Sequence, residues 1–194
     1  MLFLRLFLKV SAVKIHVVIA KEPLLRDAIF RQRYEVFCKE YGYLDPDDYP
    51  DGMERDPFDA YSDHIAAFDE KGVMVGSIRL LHHSPIGYPT QLSYDISRYL
   101  QPYDPQSVSE LSRIIIAPGY RGIRSARAIV IALYKTLYQR SQELAISVWV
   151  GNFERRFIRL LELLGVRFTI IGEGIRHHSK MRLPAVLTPK RMPS

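Results

Sequence analysis

The sequence predicts a single α/β domain, spanning residues 1–194, built on one mixed sheet. Three observations carry that expectation. Two apolar runs flank the turn Asp69-Glu70-Lys71-Gly72, which reads as an antiparallel hairpin. Residues 109–150 then run strand, Pro-Gly turn, long helix, strand, an order that demands a right-handed crossover and a parallel pair. Residues 154–171 add a further helix and strand.

The elements follow in order. Residues 13–19 are rich in β-branched side chains and alternate in part, so a strand is expected. Pro23 suits a first helical turn, and the helix is expected to reach Tyr41, with Phe30, Arg33 and Phe37 on one face. Residues 45–57, dense in Asp, Pro and Gly, read as a long loop. The hairpin strands are 64–68 and 73–82. Residues 84–103 read as irregular, with a short helix at 96–100. Next come a strand at 109–116, ended by Pro118-Gly119, a helix at 125–144, a strand at 146–150, a helix at 154–164 and a strand at 166–171. Residues 176–183 read as a last strand. Residues 1–12 are apolar but interrupted by Arg5 and Lys9, too short a run to span a bilayer. They read as a strand or cover segment, with an interfacial anchor as the alternative.

Composition excludes several classes. One cysteine, Cys38, leaves no internal disulfide framework and fits a reducing, cytoplasmic compartment. There is no CxxC and no His/Cys spacing suited to zinc, so no metal is expected. Adjacent pairs His82-His83 and His177-His178 point to opposite strand faces and read as surface groups. The net charge of +6 is unevenly spread. Between positions 45 and 63, eight acidic residues face one Arg; from Arg113 onward, fifteen Lys/Arg face four Glu. A basic half of that kind attracts an acidic partner. Nucleic acid is disfavoured because no basic motif with interleaved aromatics appears. An acidic carrier protein, or peripheral contact with an anionic membrane surface, fits better, and a plain solvated basic surface competes with both.

Two constellations carry chemistry. Pro118-Gly119-Tyr120-Arg121-Gly122-Ile123-Arg124-Ser125 joins a strand to a helix. Such a turn presents free N–H groups and the positive end of the helix to an anion, and Arg121 and Arg124 add full charge. Many strand-to-helix turns carry glycine, so a purely structural turn competes. The second constellation is a set of charges: Arg33 with Phe37, Glu54-x-Asp56-x-x-Asp59, Arg79, and Glu110-x-x-Arg113. Arg79 and Arg113 fall in apolar strands, and a buried charge needs a partner, which Asp56, Asp59 and Glu110 can supply. A structural ion network therefore competes with a catalytic role.

These residues also carry a resemblance. Strand, Pro-Gly-Tyr-Arg-Gly and long helix resemble the acyl-CoA pyrophosphate loop of the GNAT superfamily. Val148-Trp149-Val150-Gly151-Asn152 resembles the later strand of that fold. The resemblance implies a GNAT-like mixed sheet with two splayed parallel strands, flanked by helices, and an acyl thioester in the gap. It implies cofactor contacts at Ile116, Gly119, Arg121, Gly122, Arg124 and Ser125. Ile123, Arg124 and Ser125 stand where further glycines are common. The ordered charges resemble acyl-homoserine-lactone synthases, with Tyr43 nearest to a usual Trp. Residues 36–43 and 48–56 resemble the bacterial long-chain N-acyl amino acid synthases and exosortase-associated acyltransferases more closely.

The resemblance implies an N-acyltransferase that moves a fatty acyl group from acyl carrier protein or CoA to a small-molecule amine. Glu110 is the preferred base, with Glu54 second. A bulged strand at Arg113 to Ala117 would supply oxyanion donors. Arg79 and Arg113 would hold the acidic loop or a substrate carboxylate, with Asp56 and Asp59 as their partners. Arg33, Phe37, Tyr43, Trp149 and Asn152 would line the substrate site. Cys38 reads as core. The alternatives are an acetyl-CoA-dependent N-acetyltransferase and a non-catalytic module binding a carrier or lipid.

Overall fold

The computed structural model describes residues 14–177 and 180–189. The apolar segment 1–12 and His178 lie outside them. The chain forms a mixed sheet ordered β1-β2-β3-β4-β5-β8-β6, with β7 paired to β8. The strands are β1 (His16–Ile19), β2 (Ser62–Phe68), β3 (Met74–His82), β4 (Val108–Ile116), β5 (Val148–Glu154), β6 (Thr169–Ile170), β7 (Ile175–His177) and β8 (Lys180–Leu187). The helices are α1 (Pro23–Arg33), α2 (Ser97–Leu100), α3 (Ile123–Glu143) and α4 (Arg155–Leu163). All described pairings are antiparallel except β4 with β5.

The expected first helix changes character midway. Pro23 opens α1, where its missing N–H costs nothing. At Tyr34–Glu40 the helix widens to a π-helix, with the Tyr41 N–H reaching the Val36 carbonyl at 2.9 Å. Widening turns three consecutive residues, Val36, Phe37 and Cys38, inward. Cys38 packs in the core, and burial pushes its thiol up.

The main core lies between one sheet face and helices α3 and α4. Ile129, Val130, Leu133 and Leu137 form the α3 stripe, and Ile158 and Leu161 come from α4. Gly76 admits α3 close to the sheet: an added Cβ would sit 2.8 Å from the Ile115 carbonyl and 3.0 Å from Ile129. On the opposite face a smaller cluster gathers Leu81, Tyr88, Ile96, Val108, Val148 and Val150.

The C-terminal strands differ from expectation. Of residues 166–171 only Thr169–Ile170 pairs, at the sheet edge. The expected last strand, 176–183, overlaps two antiparallel strands, β7 and β8; β8 runs on to Leu187 and inserts between β5 and β6. Val166 and Phe168 pack into the main core without joining the sheet, which explains their apolar character. Among the described residues no helix is long and apolar enough to cross a membrane.

Candidate active site

Two features of the sheet create the site. The strands β4 and β5 pair only at Val108–Val148, Ser109–Trp149 and Glu110–Val150, then continue apart to Ile116 and Glu154. This is the splay that the sequence resemblance implied. Gly151 sits where the strands begin to part; a Cβ there would meet the Leu111 carbonyl at 2.8 Å and the Phe153 ring. One residue beyond Ser112, β4 bulges. The register against β3 shifts by one between Ser77–Ile115 and Arg79–Ser112, so Arg113 and Ile114 oppose Ile78. Arg113 takes φ 52°, a left-handed conformation that costs a non-glycine residue roughly 1–2 kcal/mol.

Charge pairing holds that bulge in place. The 54–59 segment folds over the sheet face opposite α3, and its 3-10 turn Pro57–Tyr61 is closed by a capping box between Asp56 and Asp59. Arg33 donates to Glu54 and forms a two-pronged pair with Asp59 at 2.8 and 3.1 Å. Arg79 reaches Asp56 at 2.6 Å, Asp59 at 2.8 Å and the Ser112 hydroxyl at 2.9 Å. Arg113 grips Glu54 at 2.9–3.2 Å and Asp56 at 2.9 Å. Three guanidinium groups thus meet three carboxylates, and Arg33, Glu54 and Arg79 are buried almost completely. Burial alone would raise the Glu54 carboxyl, but Arg113 and Arg33 overcome it and hold it below its ordinary range. Asp59 is held well below its range in the same way, by Arg33 and Arg79 against burial. Both are poor proton acceptors at neutral pH. His64 lies beside them, pushed down to about 4 by burial, and is uncharged at pH 7.

Glu110 stands apart. It is 2% exposed, at the last paired position before the splay. Its carboxylate accepts the Thr90 N–H at 2.9 Å and enters none of the described ion pairs. Burial pushes it up to about 7, against the opposing pull of that N–H and of the more remote Arg79 and Arg113. A carboxyl with that proton affinity is matched to accepting a proton at neutral pH. Thr90 comes from the irregular 84–103 segment, and no sequence signal marked it. Tyr88 nearby donates to the Val108 carbonyl at 2.7 Å.

The remaining expected residues divide. Phe37 and Tyr43 stack at 6.5 Å between centroids, and the Arg113 guanidinium lies 5.8 Å from the Phe37 ring. Asn152 lies on the same sheet face, beyond the splay. Trp149 faces the other way: it is fully buried, donates to the Ser141 hydroxyl at 2.8 Å and packs on Tyr134. It lines a small apolar cavity of about 20 Å³ between α3, α4 and the sheet. In the 118–125 turn, Gly122 caps α3, and Gly119 and Gly122 face open space. Arg124 and Ser125 lie in the first helical turn. Arg121 is engaged within the chain: it donates to both Glu40 oxygens and to the Ile116 carbonyl, and stacks 5.2 Å from Tyr41.

A family model for the acetyltransferase (GNAT) domain matches residues 32–130, a stretch that holds every member of the ion cluster and Glu110. The chain belongs to the GNAT acetyltransferase family. It is an acyltransferase enzyme of that type. Similar solved GNAT-like structures include the acyl-homoserine-lactone synthase LasI, with TM-score 0.70, 17% identity and coverage of 92% of this chain and 91% of that one. The CoA-dependent acyl-homoserine-lactone synthase BjaI, solved with SAM and isopentyl-CoA, gives 0.66, 21%, 92% and 84%. FeeM, an N-acyl amino acid synthase from uncultured soil microbes, gives 0.65, 16%, 91% and 91%. At these identities the likeness is one of fold. No curated protein sequence matches this GNAT chain significantly.

Proposed function

We propose that this GNAT enzyme transfers a long-chain fatty acyl group from a thioester on acyl carrier protein to the amine of an amino acid, in the cytoplasm. The observation that carries the reading is Glu110: a buried carboxyl near neutrality, at the mouth of the splay, outside the ion cluster. The amine nitrogen attacks the thioester carbonyl, and Glu110 takes the proton that the nitrogen loses, directly or through one water. N–H groups at the β4 bulge stabilise the oxyanion. The carbon–sulfur bond then breaks, and the sulfur leaves as a thiol on taking a proton. Arg33, Arg79 and Arg113, with Glu54, Asp56 and Asp59, hold the bulge and the covering loop in position. Phe37 and Tyr43 wall the acceptor side. The first turn of α3, with Gly119, Gly122, Arg124 and Ser125, meets the phosphate of the donor, and Arg121 leaves Glu40 to join it.

Two features support a carrier-protein donor. The chain from Arg113 onward is strongly basic. Exposed Arg124 and Arg127 on α3, and Arg155, Arg156 and Arg159 on α4, offer an acidic carrier a cationic face. One observation favours a second reading, acetyl transfer from CoA: the apolar cavity beside Trp149 holds little more than a methyl group. Rates for C2 and C16 chains, each on carrier protein and on CoA across a salt series, test both. A C16 preference with a carrier rate that falls as salt rises supports the proposal. A C2-CoA preference establishes the second reading instead.

A further inference from the structure

Two polar side chains beyond the splay each carry an enclosed atom without a hydrogen-bond partner among the described residues. On the face opposite the main core, Asn152 of β5 pairs in register with Pro184 of β8, and Glu154 with Arg182. Alternation puts Asn152 and Arg182 on one face as diagonal neighbours, a spacing of about 7–8 Å. The flanking residues Phe153, Leu183 and Ala185 point the other way into the core. The Asn152 Oδ1 and the Arg182 Nε are both out of contact with solvent, and neither has a hydrogen-bond partner among the described residues. The cross-strand acid that might have neutralised Arg182, Glu154, is paired instead with Arg156 and Lys180.

The placement of Arg182 is fixed from two sides. Its guanidinium lies 5.3 Å from the Tyr43 ring, and its carbonyl accepts the Tyr94 hydroxyl at 3.1 Å. An enclosed N–H and an enclosed carbonyl oxygen without partners are costly, on the order of 1–3 kcal/mol each, unless a ligand completes them. The pair is complementary in sense: Arg182 offers a donor with positive charge, Asn152 an acceptor. Asn152 lies two residues along β5 from Val150, the position opposite Glu110.

We propose that Arg182 and Asn152 form the recognition site for the acceptor's α-amino-carboxylate head, with Arg182 donating to the carboxylate and Asn152 accepting one amine N–H. An α-amino acid carries both groups on one carbon, so a single head group satisfies both side chains. The amine is then held on the Asn152 side, toward Glu110, with its lone pair left for the thioester. This inference rests on the acyltransfer reading above and gives its amino acid acceptor a binding site, one that selects a free α-amino acid, or a larger molecule that retains that head, over a simple amine.

The test compares twenty amino acids and S-adenosylmethionine with amino acid carboxamides and alkylamines, using the full chain and an acyl thioester donor. The wild type should prefer the best free acid over its carboxamide by about 100-fold or more in kcat/KM. Arg182→Gln should raise KM for the acid at least about 10-fold, leave KM for the thioester within about 2-fold, and erase most of the acid-to-amide preference. Asn152→Asp should weaken the free acid and spare the carboxamide, because a new carboxylate repels only the former; this guards against an Arg182 variant that fails to fold. S-adenosylmethionine preferred over all plain amino acids would identify the larger ligand with the same head. A wild type that uses carboxamides or alkylamines as readily as acids overturns the inference and leaves the acyltransfer reading standing. A wild type that acylates no amine sinks that reading. Thermal-shift binding of acids against carboxamides then decides the inference alone, with equal shifts counting against it.

Discussion

Six charged side chains and one solitary carboxyl share a sheet face, and their environments give them opposite properties. Arg33, Glu54, Asp56, Asp59, Arg79 and Arg113 neutralise one another at short range, and Glu54 and Asp59 are held below their ordinary range. Glu110, a few residues away on the same strand as Arg113, enters none of the described ion pairs, and burial pushes it up to about 7 against the weaker pull of Thr90, Arg79 and Arg113. Burial is common to both regions; the difference is the counter-charge. Glu54 and Asp59 thus serve as fixed struts, whereas Glu110 is free to exchange a proton.

The largest expected effect separates the two. Glu110→Gln keeps the shape and removes the base, so kcat should fall by about 10²–10⁴-fold with an unchanged fold by circular dichroism. Turnover near wild type in that folded variant would remove Glu110 from the chemistry. Next comes the cluster. Glu54→Gln leaves Arg33 and Arg113 short of a buried partner and should cost about 3–5 kcal/mol of stability by denaturant unfolding. Arg33→Met together with Glu54→Met should cost much less than the sum of the single changes. Additive losses would show that the residues do not act as a unit.

The pH dependence of stability sharpens the contrast. A carboxyl raised in the folded state favours folding below its unfolded pKa, and that advantage is lost as pH rises through about 7. Glu110→Gln should therefore gain stability relative to wild type at pH 8, by up to about 3 kcal/mol, and gain little at pH 4. The Glu54 and Asp59 carboxyls are lowered, so their contribution is present above about pH 4 and disappears as acid is added. The smallest effect belongs to the surface pair. Arg121→Ala removes its contacts with Glu40 and the Ile116 carbonyl at a cost of about 1 kcal/mol or less. It should instead raise KM for the thioester donor, which Glu40→Ala should not.

Much of this was legible in the sequence, for identifiable reasons. The 64–68 and 73–82 hairpin, the long helix and the parallel crossover announce themselves by local pattern. The order of Arg33, Glu54, Asp56, Asp59, Arg79, Glu110 and Arg113 indicated that the charges belong together, because arginines in apolar strands demand acids. Which acid is paired and which is left alone was not legible, since that depends on the bulge at Arg113 and on Thr90 arriving from an irregular segment. The π-helix at Tyr34–Glu40 has no periodic signature separate from an α-helix. The insertion of β8 beside β5 is a non-local choice, so Arg182 and its relation to Asn152 could not be read from spacing. Trp149 was expected at the substrate site; alternation along β5 places it on the face opposite Glu110, toward α3 and the apolar cavity.

The contrast between the two regions is open to direct observation. Carbon-13 labelling of glutamate side-chain carboxyls allows each to be titrated by NMR, with Glu110 and Glu54 assigned from the signals lost in Glu110→Gln and Glu54→Gln. The account predicts a Glu110 signal that titrates near pH 7 and a Glu54 signal whose midpoint lies below that of an ordinary glutamate. A Glu110 carboxyl that is fully ionised at pH 5.5, or a Glu54 carboxyl that takes up a proton near neutrality, would contradict it.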